Sequence, residues 1–447
     1  MKYFISKFCV VLAAVLVAGC TITGISPDIK EQDLPGSWNN IVEHDSVNND
    51  WLTTLGDEAL VEQVAIAMKQ NYQLATQAAR VEEARQGLII SGAARYPELS
   101  LSLDASRRRS IINETASTTG SNFAIGLDLA FEIDVWGKLG DAAKQASLNL
   151  LAQEALYKDA QHNLAANVAR AWFNVISANQ SLTLFQERLA NLKVDMDIIE
   201  RAYRQGLNTS LDVYLTRATV AQERARIAQQ QQLLSENKVA LQLLLADYPN
   251  GQLAVNKTLA VLDEAIPLGL PSELVSRRPD LQQSWMNLLA ADAGLAIAHK
   301  QRFPRLSLVA SGSDVSSEIG SLLNGSTLAW SLLGNLTQPV FNAGRLKALE
   351  EQARSRVIQL EKLYLDSLFL AFSEVENAIS RNAALAEQYQ ATLASEKNAV
   401  LALTLAFEQY QRGLVTYTTV LESQRRAFDA QSTVIDLRNQ LLQNRIT

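Results

Sequence analysis

Residues 203–213 and 410–420 are copies of one another. Tyr203, Gly206, Leu207, Thr209 and Val213 recur 207 positions later as Tyr410, Gly413, Leu414, Thr416 and Val420. The same offset joins Tyr96-Pro97-Glu98-Leu99-Ser100-Leu101 to Phe303-Pro304-Arg305-Leu306-Ser307-Leu308, and Gly137-Lys138-Leu139 to Gly344-Arg345-Leu346. Three anchors at one spacing mark an internal duplication. The halves run over 57–249 and 272–445, joined across 250–271, where Pro and Gly cluster. Whatever one half folds into, the other must fold into as well.

Within each half the pattern is helix, strand, loop, strand, very long helix, turn, helix. Residues 58–95 read as a helix stopped by Pro97, and 280–302 as its copy before Pro304; proline removes a helical donor and pushes its predecessor towards extended backbone. Phe123, Ile125, Leu127, Leu129, Phe131, Ile133 and Val135 then alternate with Ala124, Gly126, Asp128, Ala130, Glu132 and Asp134. One face is wholly apolar and the other small or acidic. That is the pattern of a barrel wall between lipid and a wet lumen. Leu99, Leu101 and Leu103, then Leu306 and Leu308, then Leu328, Trp330 and Leu332 repeat it. Strands are expected near 98–106, 122–135, 305–313 and 327–338, with polar loops at Arg107–Gly120 and Asp314–Ser326. Four strands cannot close a barrel, since the smallest have about eight, and an open edge is forbidden in lipid. If these are membrane strands, the chain must oligomerise to close the sheet, giving eight strands from two copies or twelve from three.

The long helix covers about Gly137 to Tyr203, roughly 100 Å at 1.5 Å per residue. Val168, Val175, Leu182, Leu189, Met196 and Tyr203 fall every seventh residue, with Ala171, Ala178, Phe185, Leu192 and Ile199 three later. This is a coiled-coil seam. In each duplicated turn, Gly206 or Gly413 is expected to end one helix in the left-handed conformation, and Thr209 or Thr416 to cap the next. Thr209-Ser-Leu-Asp212 has the form of a capping box. Asp212 also lies where a ring of carboxylates would form in a symmetric oligomer; the matching position in the second copy is Thr419, and Glu422, one helical turn on, would form such a ring. Such rings select cations. For Asp212 capping, and for Glu422 a solvated helix face, remain open beside that role.

Residues 1–19 read as a removed signal peptide: Lys2 and Lys7, then an apolar run from Phe8 to Val17 that is too short to span a bilayer. Leu16-Val17-Ala18-Gly19-Cys20 resembles the bacterial lipobox, which implies cleavage before Cys20 and a covalent diacylglycerol and N-acyl lipid there. Thr21 in place of an acid favours the outer membrane. Residues 20–56 form a lipidated N-terminal extended segment. Cys9 leaves with the leader, so the mature chain has one cysteine and no disulfide. A net charge of −7 without a basic stripe argues against nucleic acid. His44, His162 and His299 lie far apart, and no nucleophile motif, phosphate loop or metal spacing occurs. Neither enzyme activity nor a metal or other cofactor is expected.

The lipobox, the paired Tyr-x-x-Gly-Leu turns, and Arg277-Arg278-Pro279-Asp280-Leu281 running on to Phe303-Pro304-Arg305-Leu306-Ser307-Leu308 resemble the TolC-like outer-membrane factors of tripartite efflux pumps of the resistance–nodulation–division type, in the lipoprotein, NodT/OprM-like branch. The resemblance covers about residues 50–445. It implies a mostly α-helical chain with a small β part, assembled as a homotrimer: a coiled-coil α-helical barrel in the periplasm and a twelve-stranded barrel, four strands per chain, in outer-membrane lipid. It implies a passive channel for small molecules such as drugs and toxic compounds, delivered by an inner-membrane transporter and a periplasmic adaptor. Gly206, Leu207, Gly413 and Leu414 would contact the adaptor. Asp212, Tyr410, Thr419 and Glu422 would form the periplasmic gate, opened by untwisting of the helices. Val415 stands where some members carry a latching arginine, and Thr419 replaces an acid, so the latch differs here. A protein-secretion channel and a non-pore lipoprotein rod are the alternatives; the rod does not account for strands with acids on one face.

Overall fold

The computed structural model describes residues 38, 51–113, 116–255, 257–260, 275–324 and 327–447. The leader, Cys20, most of the 20–56 segment and residues 261–271 of the joint lie outside the described residues. The elements are α1 (Glu58–Gln70), α2 (Tyr72–Ala93), β1 (Glu98–Asn113), β2 (Ala116–Ile133), α3 (Lys138–Arg204), α4 (Ser210–Leu244), α5 (Pro279–Lys300), β3 (Arg305–Ser316), β4 (Ala329–Thr337), α6 (Arg345–Gln411) and α7 (Tyr417–Ile446). The two long helices, α3 and α6, have 67 residues each, as the duplication requires.

Among the described residues, 79–156 and 279–367 make one compact unit, and 38, 51–78, 157–278 and 368–447 make the other. Each draws on both halves of the repeat. The first holds the sheet, in the order β1-β2-β3-β4, antiparallel throughout. Its register puts Leu101 against Leu127, Phe131 against Leu308, and Gly312 against Trp330. Because side chains alternate across a strand, these residues share one face. Ser100, Asp128 and Ser311, also paired in register, lie on the other. At the base of the inner face Glu132 accepts from Lys138 at 2.5 Å and pairs with Arg305 at 2.8 Å. Trp136 donates to the Pro304 carbonyl at 2.7 Å, so the proline that stops α5 also fixes the exit from β2. Asp314 falls in register on the apolar face, yet it is buried: it accepts from the Leu323 amide at 2.7 Å and from the Thr327 hydroxyl. The loop thereby shields a carboxylate that lipid would not tolerate.

Two expectations need correction. The segment Arg107–Gly120 is not a loop for most of its length: β1 and β2 continue as a hairpin through Arg107–Ser121, Arg108–Gly120 and Arg109–Thr119 pairs. Over Arg107–Arg109 and Ser117–Ser121 both faces carry polar or small residues, so the period-two contrast disappears while the backbone ladder goes on. The helix over 58–95 is two helices, broken at Asn71. The Asn71 side chain caps α2, accepting from the Leu74 amide at 3.0 Å, and donates to the Leu244 carbonyl at 3.0 Å.

The second unit is a helical layer. Val168, Phe173, Val175 and Ile176 of α3 pack with Leu60, Leu241 and Leu442 in one buried cluster, so the upper part of the heptad seam is core. Asp57 caps α1 and accepts from Trp172 at 2.8 Å and from Lys257. Burial works against its charge, but Lys257 and Trp172 hold the carboxyl below its ordinary range. Among the described residues, no helix is long and apolar enough to cross a membrane.

Candidate functional site

Both duplicated turns have the same backbone. Gly206 has φ +70° and Gly413 φ +73°. The amides of Gly206 and Leu207 bond to the carbonyls of Tyr203 and Ala202, and those of Gly413 and Leu414 to Tyr410 and Gln409, all at 2.9 Å. These are Schellman closures, in which a left-handed glycine satisfies the last helical carbonyls. Their caps differ. Thr209 and Asp212 form a reciprocal capping box, the Thr209 amide donating to Asp212 Oδ2 at 3.1 Å. Thr416 makes no side-chain bond to the backbone of α7; its hydroxyl meets those of Thr418 and Thr419. The structure thus gives Asp212 a capping role.

The two turns meet. Asn208 Nδ2 donates to Tyr410 Oη at 2.7 Å, and the Tyr410 ring packs on Tyr417 at 5.4 Å. Tyr417, 2% exposed, centres a cluster of Ile199, Val213, Ala406 and Val420. Its hydroxyl lies beside Thr216 without a well-formed hydrogen bond, and burial pushes its pKa up to about 12. One helical turn away, Asp195 of α3 is buried and accepts from Gln424 of α7 at 2.8 Å. Burial raises its pKa more than that bond lowers it. Further along, Glu223 is 1% exposed and lies 3.6 Å from Arg188, whose guanidinium sits 3.8 Å over the Phe428 ring. Burial raises the Glu223 pKa and lowers that of Arg188.

Glu422 is placed differently from a bare ring acid. Hydrogen bonds from Arg425 at 2.8 Å and Arg426 at 2.9 Å, both on its own helix, hold its pKa at about 2. With Thr418, Thr419 and Ala402 it lines a groove of about 450 Å³. Thr419 is exposed and Val415 half-buried. Leu207 is 74% and Leu414 70% exposed at the turn tips, and Leu211 and Tyr214 extend that apolar surface.

The sequence pointed to Tyr410, Asp212, Glu422 and the glycines. It did not single out Asn208, Tyr417, Asp195, Gln424, or the Arg188–Glu223 pair. Only the repeat could have drawn attention to Asn208 and Tyr417, which lie inside the copied stretches at positions where the two copies differ. The others are defined by burial against a helix more than thirty residues away in the chain. Among the described residues, no three His, Cys, Asp or Glu side chains gather as metal ligands.

A family model for the outer membrane efflux protein matches residues 64–247 and 270–447. The cation efflux system protein CusC of Escherichia coli K12 is 30% identical over 441 residues, 96% of this chain and 94% of that protein. The solvent efflux pump outer membrane protein SrpC of Pseudomonas putida is 30% identical over 386 residues, 85% of this chain and 82% of that one. A solved structure of CusC superposes with a TM-score of 0.85 at 28% identity, covering 95% of this chain and 98% of that chain. The duplicated fold, the four-stranded sheet with one apolar face and the paired helical turns agree with these matches: the chain belongs to the outer membrane efflux protein family.

Proposed function

We propose that the chain is the outer-membrane duct of a tripartite efflux pump, passively passing small molecules handed over by a periplasmic adaptor and an inner-membrane transporter. The observation that carries this is the sheet: four antiparallel strands with one apolar face and, among the described residues, two unpaired edges, β1 and β4, continuous with two 67-residue helices. Such a sheet is stable in lipid only when copies close it, and three copies give a twelve-stranded barrel opening into a helical tube. Exposed Leu207 and Leu414, with the open backbone of Gly206 and Gly413, suit docking of an adaptor hairpin. Asn208, Tyr410 and Tyr417, with Asp212 capping the first turn, hold the periplasmic mouth closed at rest.

Cys20 carries the diacylglycerol and N-acyl lipid in this reading, and the barrel is the main membrane anchor; Cys20→Ser should lose radiolabelled palmitate yet remain in the membrane fraction. Relatives named for cations, solvents, toluene and pyoverdine match at 28–30% identity. That spread fits a duct whose cargo is chosen by the pump. Replacing the native channel with this chain, alongside its own adaptor and transporter, tests the reading: restored export of a dye or toxic cation supports it, and unrestored export by a correctly assembled protein rejects it.

A further inference from the structure

We infer that Arg107 and Arg109 form a docking site on the lipid-facing wall for the phosphates of a lipopolysaccharide molecule in the outer leaflet. Taking the membrane orientation proposed above, the helices join the sheet at Glu98 and Ile133, so the β1–β2 hairpin tip points outward. Along β1, Leu99, Leu101, Leu103, Ala105, Arg107 and Arg109 fall on one face, because the β1–β2 register is unbroken from Glu98 to Ile111. Arg109 Nε donates to Ser117 Oγ at 3.0 Å, and Ser117 lies on that same face of β2. From Glu98 to Arg107 the strand advances about 30 Å, or about 23 Å along the barrel axis at a 40° tilt. An outer-membrane barrel's apolar band is about 25 Å tall. Arg107 and Arg109 therefore stand where that band ends and the outer leaflet's headgroups begin.

The chemistry is complementary. Arg107, Arg108 and Arg109 are consecutive and exposed, and among the described residues neither Arg107 nor Arg108 has an ion-pair partner. Two outward guanidiniums two residues apart lie about 7 Å from one another along the strand, and each presents a fork matched to phosphate oxygens. Arg108 faces the lumen and serves as an internal control. The apolar wall below, Leu99 to Leu103, supplies a surface for acyl chains. Phosphate on a membrane-embedded saccharolipid satisfies both parts at once; a soluble anion satisfies only the upper.

Native mass spectrometry of detergent-purified protein tests this, using lipid A bearing its inner core sugars as probe, phosphatidylglycerol as a second lipid and pyrophosphate as the free anion. The oligomer peak reports the duct reading, and the lipid adduct reports this one. Wild type should hold the saccharolipid at least about tenfold more tightly than phosphatidylglycerol, and R107Q/R109Q should lose about tenfold or more, while R108Q stays within about twofold. Equal binding by R107Q/R109Q, an equal loss in R108Q, or pyrophosphate bound as tightly as the lipid would each overturn the assignment. Should R107Q/R109Q fail to assemble, salt titration of wild type decides: affinity falling with ionic strength supports the phosphate contacts, and salt-independent affinity overturns them.

Discussion

Tyr410→Phe removes one oxygen and little else. The ring remains to pack on Tyr417, but Asn208 Nδ2 loses the acceptor it reaches at 2.7 Å. A neutral hydrogen bond of this kind is worth about 1 kcal/mol net, with the orphaned donor adding to the loss where it is buried. Around one three-fold mouth the bond occurs three times. If the three copies open together, the closed state loses about 3 kcal/mol, roughly a 150-fold shift of the open-to-closed ratio. Single-channel recording in planar bilayers reads that ratio directly, and uptake of a large polar antibiotic by cells reads it indirectly. Asn208→Ala should produce the same phenotype, and the double variant little more than either single one, because both remove the same bond. An open probability within twofold of wild type for Tyr410→Phe, or additive effects in the double variant, would refute the role of this bond.

Glu422→Gln frees Arg425 and Arg426, which hold the carboxylate down to a pKa of about 2; the reversal potential should move towards anion selectivity, and the difference between wild type and variant should stay constant between pH 4 and 7, since this carboxylate remains ionised throughout. Asp195 has its pKa raised by burial, so the folded protein favours its protonated form, and stability contributed by that form is lost as pH rises from the ordinary carboxylate range through the raised value. Asp195→Asn should abolish that part of the pH dependence, so Tm curves of variant and wild type between pH 4 and 7 should diverge as pH rises; parallel curves would contradict it. Glu223→Ala leaves Arg188 buried without its partner and should cost about 3 kcal/mol, partly restored by Arg188→Leu in the same chain, as measured by denaturant unfolding of detergent-solubilised protein; independent, additive losses would show that the two do not act as a pair.

What was legible in the sequence tracks what is local. The turns are readable because Gly206 and Gly413 must adopt positive φ and are flanked by the same residues twice. The long helices are readable from the heptad seam, and Val168, Val175, Leu192 and Ile199 are indeed buried. The strands show where lipid and water impose opposite demands on alternate residues, as along Phe123 to Ile133. Where both faces carry polar or small residues, over Arg107–Arg109 and Ser117–Gly120, the periodicity vanishes, and the sequence reads as a loop although the ladder continues. The break at Asn71 carries no Gly or Pro; it exists because the Asn71 side chain binds α2 and the Leu244 carbonyl at once. Asp195 and Glu223 look like ordinary helix-surface acids until α7 and α3 pack against them. Glu422 looks like a ring acid until Arg425 and Arg426 are seen to turn back onto it.

Among the described residues both outer strands of the sheet, β1 and β4, have an unpaired edge, which makes the central claim depend on assembly, and particle mass measures assembly directly. Native mass spectrometry of the protein extracted from outer membranes should give a single species of three chains that survives mild detergent. A stable monomer, or a dimer of eight strands, would contradict the twelve-stranded duct.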